Sequence, residues 1–324
     1  MKQILMTGVG SYLPETILTN NDLSQFVDTN DSWIKQRTGI ESRRKAKPEE
    51  LTSDLAVRAA EKALHSAGLA ANDIDCIIVA TTTPDCTFPA TATIVQNKLG
   101  AFNAFAFDVQ AVCAGFVYAL SVANGLMSSG QGKNTLVIGA ETFTKLLDWS
   151  DRSTCVLFGD GAGAVVLQAE ESEDGYGIIA NTLHSDGRYK DILYVDGGVS
   201  STGSIGHVRM QGRDVFKHAV EKLAAAMDEV LSIAELTADD IDWLVPHQAN
   251  VRIINAMQKK LNLADEKVIK TVSTHANTSA ASIPLALAAG VEAGKIKPGH
   301  LLALEAIGGG LSWGACLVRF GRPG

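Results

Sequence analysis

The 324 residues include only five cysteines, Cys76, Cys86, Cys113, Cys155 and Cys316, an odd number without a Cys-x-x-Cys pair. That usage excludes a disulfide framework and points to reduced thiols, so a cytoplasmic location is expected. No cluster of His, Cys, Asp and Glu has metal-ligand spacing, and no metal is expected. Positive charge is short: 28 Lys and Arg against 36 Asp and Glu leave a net −8 and a pI near 5.4. A broadly basic nucleic-acid footprint is therefore excluded. Met1 to Gly10 carries one Lys and runs into Gly8 and Gly10 without an apolar core, so no signal peptide is expected. The longest apolar run, Ala111 to Met127, is broken by Ser121, Asn124 and Gly125 and is too short to span a bilayer. Gly8-Val9-Gly10 lacks the third glycine of a dinucleotide fingerprint, and no glycine run continues into Lys-Ser or Lys-Thr. Neither nicotinamide nor nucleoside triphosphate binding is indicated, and no cofactor is expected.

What the chain has is apolar bulk: 46% hydrophobic residues, 20% charged, and 30 glycines against 8 prolines. Disorder, collagen and coiled coil are excluded, and tight packing of helices on sheets is favoured. At about 150 residues per domain the length predicts roughly two domains or one large fused core. Strand-like runs (Ile4 to Met6, Cys76 to Ala80, Thr135 to Ile138, Ala164 to Leu167) alternate with helical patterns (Leu55 to Ala67, Thr91 to Leu99, the apolar stretch after Cys113). The alternation predicts an α/β chain with a mainly parallel sheet buried on both faces. An internal echo accompanies it. Ala60-Glu61-Lys62 leads to Asp73-Ile74-Asp75 and an apolar strand, and Val220-Glu221-Lys222 leads to Asp240-Ile241-Asp242 and another, 167 residues later. Gly159 to Leu167 and Gly308 to Val318 echo at about 150. Matches this short leave duplication open; two halves would join near the acidic Glu170 to Asp174 stretch, giving 1–172 and 173–324.

Cys113, in Ala111-Val112-Cys113-Ala114-Gly115-Phe116, lies between a strand-like run and an apolar helix. A helix N-terminus favours the thiolate, and an unperturbed cysteine is only about 3% thiolate at neutral pH. A small buried core residue is the competing reading, and it is the one adopted for Cys76, Cys155 and Cys316. His247, in Pro246-His247-Gln248-Ala249-Asn250, follows the second Asp-Ile-Asp strand at the end where α/β folds place ligands. Asn277 opens Asn277-Thr278-Ser279-Ala280-Ala281-Ser282, 164 residues after Cys113. Singly, His247 reads as a structural histidine and Asn277 as a helix cap. A pseudo-twofold relation would bring the two helix starts, at Cys113 and Asn277, toward one centre.

These three motifs together resemble the signature of the beta-ketoacyl-acyl-carrier-protein synthase III family. The resemblance extends to Gly10-Ser11-Tyr12-Leu13-Pro14, Trp33-Ile34, Arg37-Thr38-Gly39-Ile40, Phe158 to Gly163, Gly308-Gly309-Gly310 and Trp313-Gly314. It implies a thiolase-like fold, a duplicated five-layered α-β-α-β-α core, and a homodimer. It further implies an initiating condensing acyltransferase of type II fatty acid synthesis. Cys113 would be acylated by a short acyl-CoA, with acetyl-CoA the expected primer, and the backbone N–H groups of Cys113 and Gly309 would form the oxyanion hole. Decarboxylation of malonyl-acyl-carrier-protein would then be assisted by His247 and Asn277, giving 3-oxoacyl-acyl-carrier-protein and carbon dioxide. Coenzyme A enters as a substrate thioester, not as a cofactor.

By the same resemblance, Trp33 and Arg152 sandwich the adenine of coenzyme A, Arg37 and Arg252 meet its phosphates, and Thr29, Gly212 and Asn250 make polar contacts. Lys217, Arg252 and Lys259 dock the acidic carrier protein. Phe88 crosses the dimer interface to close the partner's acyl pocket, which Ile307 also borders. The chain departs from the common family pattern at Ile307, where Phe is usual, and at Ala276, where Gly is usual. The cation run from Lys35 to Lys47 reads as solvated surface. Rival readings are a specialised condensing enzyme of quinolone or polyketide type, and a cysteine hydrolase or thioesterase built on the elbow-like turn before Gly115.

Overall fold

The computed structural model describes residues 2–172 and 174–321. The chain starts with β1 (Lys2–Tyr12), then the pair β2 (Thr16–Thr19) and β3 (Ser42–Lys45), which encloses α1 (Asn20–Leu23) and α2 (Asp31–Thr38). Next come α3 (Thr52–Ala67), β4 (Cys76–Ala80), α4 (Thr91–Leu99), β5 (Phe105–Val109), α5 (Gly115–Ser128), β6 (Asn134–Glu141), α6 (Arg152–Cys155) and β7 (Gly161–Glu171). After residue 173 follow β8 (Gly177–Ser185), β9 (Leu193–Val195), β10 (Val208–Met210) and α7 (Gly212–Ile233). The chain ends with β11 (Trp243–Pro246), α8 (Val251–Lys260), α9 (Val272–His275), α10 (Ser282–Glu292), β12 (Leu301–Gly308) and β13 (Ser312–Arg319).

Two sheets result, one in the order β1-β7-β6-β4-β5 and one in the order β11-β12-β13-β8. Between them lie α5 and α10, apolar almost all round, as a helix covered on every side must be. Phe116 and Leu120 of α5 and Ile283 and Leu287 of α10 share one core with Ile78 and Val137 of the first sheet and Leu302, Leu304 and Cys316 of the second. Outside, α3 and α4 cover the first sheet and α7 and α8 the second. In α7 the buried Ala219, Leu223, Ala226, Met227 and Val230 recur at helical spacing, so one stripe meets the sheet. The layers therefore run α-β-α-β-α, the thiolase-like architecture. The boundary expected at 172/173 falls on residue 173, outside the described residues.

The Asp-Ile-Asp echo has a physical cause. Asp73 and Asp240 each accept from a backbone amide three residues earlier, at Ala70 and Thr237, both at 2.8 Å, and so cap a short turn. Asp75 accepts from the Lys133 and Asn134 amides and Asp242 from the Leu301 amide. Each second aspartate thus pins the start of the neighbouring parallel strand, β6 or β12.

Two expectations change. The sheets are mixed rather than mainly parallel: β4 pairs β5 and β6 in parallel and β11 pairs β12 in parallel, whereas β7 pairs antiparallel with β1 and β6, and β13 with β12 and β8. The connection from β12 to β13 is a tight turn, which can only make an antiparallel pair. The cation run is not all solvated surface either, because Arg43 is fully buried. Its guanidinium donates to Leu18 O, Asn20 Oδ1 and Val156 O, tying β3 to the segment before β7. Among the described residues no helix is long and apolar enough to cross a membrane.

Candidate active site

Cys113 sits in a single turn, Val112–Ala114, that feeds α5. Val112 is left-handed at φ +50, a strained conformation for a β-branched residue and a mark of a constrained site. β12 ends against this turn. A Cβ at Gly308 would stand 2.6 Å from the Cys113 nitrogen, so only glycine allows the approach. Among the described residues neither the Cys113 nor the Gly309 amide donates to a backbone carbonyl outside the regular elements.

His247 leaves the C-terminal end of β11, its amide held by Glu305 O at 2.8 Å. Its ring is buried and Nδ1 has no hydrogen-bond partner. Asn277 is clamped on both sides of its backbone, donating to Leu157 O and accepting from Gly159 N. Its Oδ1 accepts from the Ser279 amide at 2.9 Å. With the oxygen committed, the Asn277 side-chain nitrogen is the free end, a pure donor.

One cavity of about 580 Å³ is lined by Cys113, His247 and Asn277 together. Burial pushes the Cys113 thiol up to about 12 and the His247 imidazole down to about 3. The expectation of a helix-favoured thiolate is therefore corrected: the helix start is there, but desolvation outweighs it. At neutral pH thiol and imidazole are both uncharged, not an ion pair.

Of the other expected site residues, Arg37, Gly212, Asn250, Arg252 and Ile307 line the same cavity. Asn250 caps α8, its Oδ1 accepting from Arg252 N and Ile253 N, which leaves only its amide nitrogen for a ligand. Trp33 lies beside the cavity with Arg37 over its ring at 4.8 Å and Arg152 at 4.7 Å. Arg152 already stacks on the indole, so a base could enter only if this half-exposed side chain, held by Asp28 O, swung away. Thr29 precedes α2, and its buried Oγ1 has no partner. Gly309 lines a second cavity of about 460 Å³ on the other side of the Cys113 turn, with Ala111, Val112, Phe143 and Leu193. Phe88 lines neither; it is 84% exposed. Lys217 and Lys259 are exposed on α7 and α8, with Lys259 two turns from Arg252 on one face. Sequence reasoning missed Arg213, Phe216, Met210 and Leu193 in the cavity wall, and Glu141 and Ser279 behind Cys113. Glu141 carried a signal, a charge closing an otherwise apolar strand. Among the described residues no group of His, Cys, Asp and Glu assembles that could hold a metal ion.

The family model described as 3-Oxoacyl-[acyl-carrier-protein (ACP)] synthase III matches residues 107–187, and the model of its C-terminal part matches 231–320. Similar proteins include the beta-ketoacyl-[acyl-carrier-protein] synthase III of Dinoroseobacter shibae, 57% identical over 98% of this chain and 99% of that protein. That of Ruegeria pomeroyi is 59% identical over 98% of each. Among solved structures, 3-oxoacyl-[acyl-carrier-protein] synthase III from Aquifex aeolicus VF5 superposes with a TM-score of 0.93 at 47% identity, over 99% of this chain and 100% of that one. The priming beta-ketosynthase of the R1128 polyketide pathway gives 0.94 at 35%, over 99% and 97%.

Proposed function

The chain belongs to the 3-oxoacyl-[acyl-carrier-protein] synthase III family and is an initiating condensing enzyme of fatty acid synthesis, an acyltransferase; from this premise we propose how its own residues work. Cys113 attacks a short acyl-CoA, the oxyanion lying against the Cys113 and Gly309 amides. Coenzyme A leaves with the thiol proton, and malonyl-acyl-carrier-protein takes its place. As its carboxylate departs as carbon dioxide, the enolate oxygen is held by His247 Nε2 and the Asn277 amide, and the carbanion attacks the acyl-Cys113. The observation that carries this reading is the convergence of Cys113, His247 and Asn277 on one cavity with His247 neutral. A neutral donor pair stabilises an enolate oxygen without protonating the carbon that must react.

Coenzyme A would follow the rim from the cavity to the Trp33, Arg37 and Arg152 cluster. Two features support a homodimer. β5 is an edge strand with Phe105 43% exposed, and such an edge is a template for another strand. Phe88 lines neither cavity of its own chain and is largely exposed, as a residue serving a partner's acyl pocket would be. Native mass spectrometry with a panel of acyl-CoA primers tests the whole reading. We expect two chains, one acetyl group added per chain on Cys113, and its discharge by malonyl-acyl-carrier-protein with release of carbon dioxide. Steady free acid without condensation would instead identify a hydrolase, and a single chain would refute the dimer.

The carrier protein would dock on Lys217, Arg252 and Lys259, which have no carboxylate partner among the described residues. Exposed charges of this kind act locally, within a Debye length of about 8 Å at physiological salt. Reversing two of them, Lys217→Glu with Lys259→Glu, is expected to raise KM for malonyl-acyl-carrier-protein about tenfold and leave acetyl-CoA loading unchanged. An unchanged KM would remove these residues from the docking surface.

A further inference from the structure

Among the described residues Phe88 is the most exposed large apolar side chain, yet the loop that carries it is pinned on both flanks by carboxylates. Ahead of it, the buried Glu141 at the end of β6 accepts from the Thr82 amide at 3.1 Å and from the Thr82 and Thr83 hydroxyls at 3.0 and 2.6 Å. Asp85 then reaches the first turn of α3, accepting from the Ser53 amide at 2.9 Å and the Ser53 hydroxyl at 2.5 Å. Lys98 of α4 donates to that same hydroxyl and to Asp54, both at 2.6 Å. Behind Phe88, Asp108 of β5 accepts from the Thr91 and Ala92 amides, both at 2.7 Å. The Asp85 amide donates to Thr91 Oγ1 at 3.2 Å and closes the neck. Leu51 and Ala90, which precede α3 and α4, make no side-chain cap, so Asp85 and Asp108 supply from outside the negative charge that a helix start favours. The tip is bare by contrast. Among the described residues 86–89 make one hydrogen bond, within the tip itself, from Cys86 Sγ to Pro89 O at 3.8 Å. A loop fixed at its neck to hold out one phenyl ring is not explained by packing within this chain, where that ring buries almost nothing.

We propose that the Asp85–Ser53–Lys98 neck makes Phe88 a preformed stop, and that Asp85 is thereby a positioning residue that limits primer length in the partner's acyl pocket. The proposal rests on the homodimer reading above, in which Phe88 enters that pocket. Asp108 ties the other flank of the loop to β5, the edge strand on which a second copy would pair. Phe88 therefore keeps a fixed offset from the dimer edge.

The need for a rigid neck follows from the energetics of a growing chain. Each methylene moved from water into an apolar pocket favours binding about fourfold, so hexanoyl, four methylenes longer than acetyl, gains on the order of 10²-fold if it can displace whatever closes the pocket. A loop free to bend would yield to that gain. One whose neck carries an ionised carboxylate bonded to an amide and a hydroxyl must break those bonds to yield, and a hydrogen bond to a charged group is worth about tenfold or more. Discrimination against long primers then depends on the neck as well as on the ring, and loosening the neck leaves Cys113, His247 and Asn277 untouched.

The test is the ratio of hexanoyl to acetyl loading on Cys113, measured by rapid quench and intact mass with each acyl-CoA, with native mass spectrometry to count chains. Phe88→Ala should raise the ratio on the order of 10²-fold and Asp85→Ala about tenfold, with acetyl loading within about twofold of wild type. The double substitution decides between positioning and a general loosening of the fold. If Asp85 acts through Phe88, Asp85→Ala adds nothing in the Phe88→Ala background, whereas an effect on the fold adds in full. An unchanged ratio in Asp85→Ala, or full additivity in the double variant, overturns the proposal while Phe88 remains the stop. An unchanged ratio in Phe88→Ala overturns the reading of Phe88 and the proposal with it. Should Asp85→Ala separate into single chains, Ser53→Ala, which keeps the carboxyl and its bond from the Ser53 amide, is judged by the same ratio and the same double variant.

Discussion

Cys113→Ala is expected to accept no acyl group from acetyl-CoA and to lose overall condensation by about 10⁴-fold or more, because the substitution removes the thiol proposed to attack the thioester. The fold should tolerate it. Cys113 is a small, buried side chain, and alanine keeps the backbone turn and its amides. His247 and Asn277 are untouched, so the variant should still release carbon dioxide from malonyl-acyl-carrier-protein, now uncoupled from bond formation. Intact mass with peptide mapping checks the first part. Cys76, Cys155 and Cys316 are buried and Cys86 is exposed, so an acyl group persisting in Cys113→Ala would map to Cys86 and refute the assignment.

The second large effect is expected at the decarboxylation step. His247→Ala and Asn277→Asp should load acetyl groups at near wild-type rates and release carbon dioxide about 10² to 10³ times more slowly, the usual cost of losing one preorganised donor to an oxyanion. Asn277→Asp is the sharper variant. It keeps the acceptor that holds the Ser279 amide, so the turn survives, but it replaces a donor by a carboxylate facing the enolate. His247→Ala leaves no partner of Nδ1 stranded, since Nδ1 has none. Following carbon dioxide from malonyl-acyl-carrier-protein on pre-acylated enzyme separates the steps. Decarboxylation at the wild-type rate in Asn277→Asp would remove Asn277 from the enolate site, and loss of loading in both variants would contradict the division of roles.

Much of the site was legible because its chemistry is carried by local motifs. A cysteine between strand and apolar helix, a histidine just past an apolar strand, and an asparagine at the matching place in a second half each have local structural meaning. The Asp-Ile-Asp entries were legible for the same reason: one aspartate caps a turn and the next pins a strand start, and both acts involve residues near in sequence or a single neighbouring strand. Arg43 was misread because its run of cations looks solvated. It is buried by contacts with Asn20 and Val156, the latter 113 residues away, which no local window contains. Arg152 and Trp33, expected on either side of a base, instead stack on each other, and that closed stack goes with Arg152 also reaching Asp28.

By itself, then, the sequence supplied the candidate reacting groups and the α/β class, which depend on residue type, periodicity and spacing, and, through the resemblance of its motifs, the layering and the family. The tertiary structure alone decided their ionisation. Whether Cys113 rests as thiol or thiolate, and whether His247 is neutral, is set by how completely two sheets and two central helices exclude water, and that desolvation outweighs the helix start visible in the chain. It also decided the setting of Glu141 and Ser279. Residues 138 positions apart meet behind Cys113 only because the turn before α10 packs onto the end of β6.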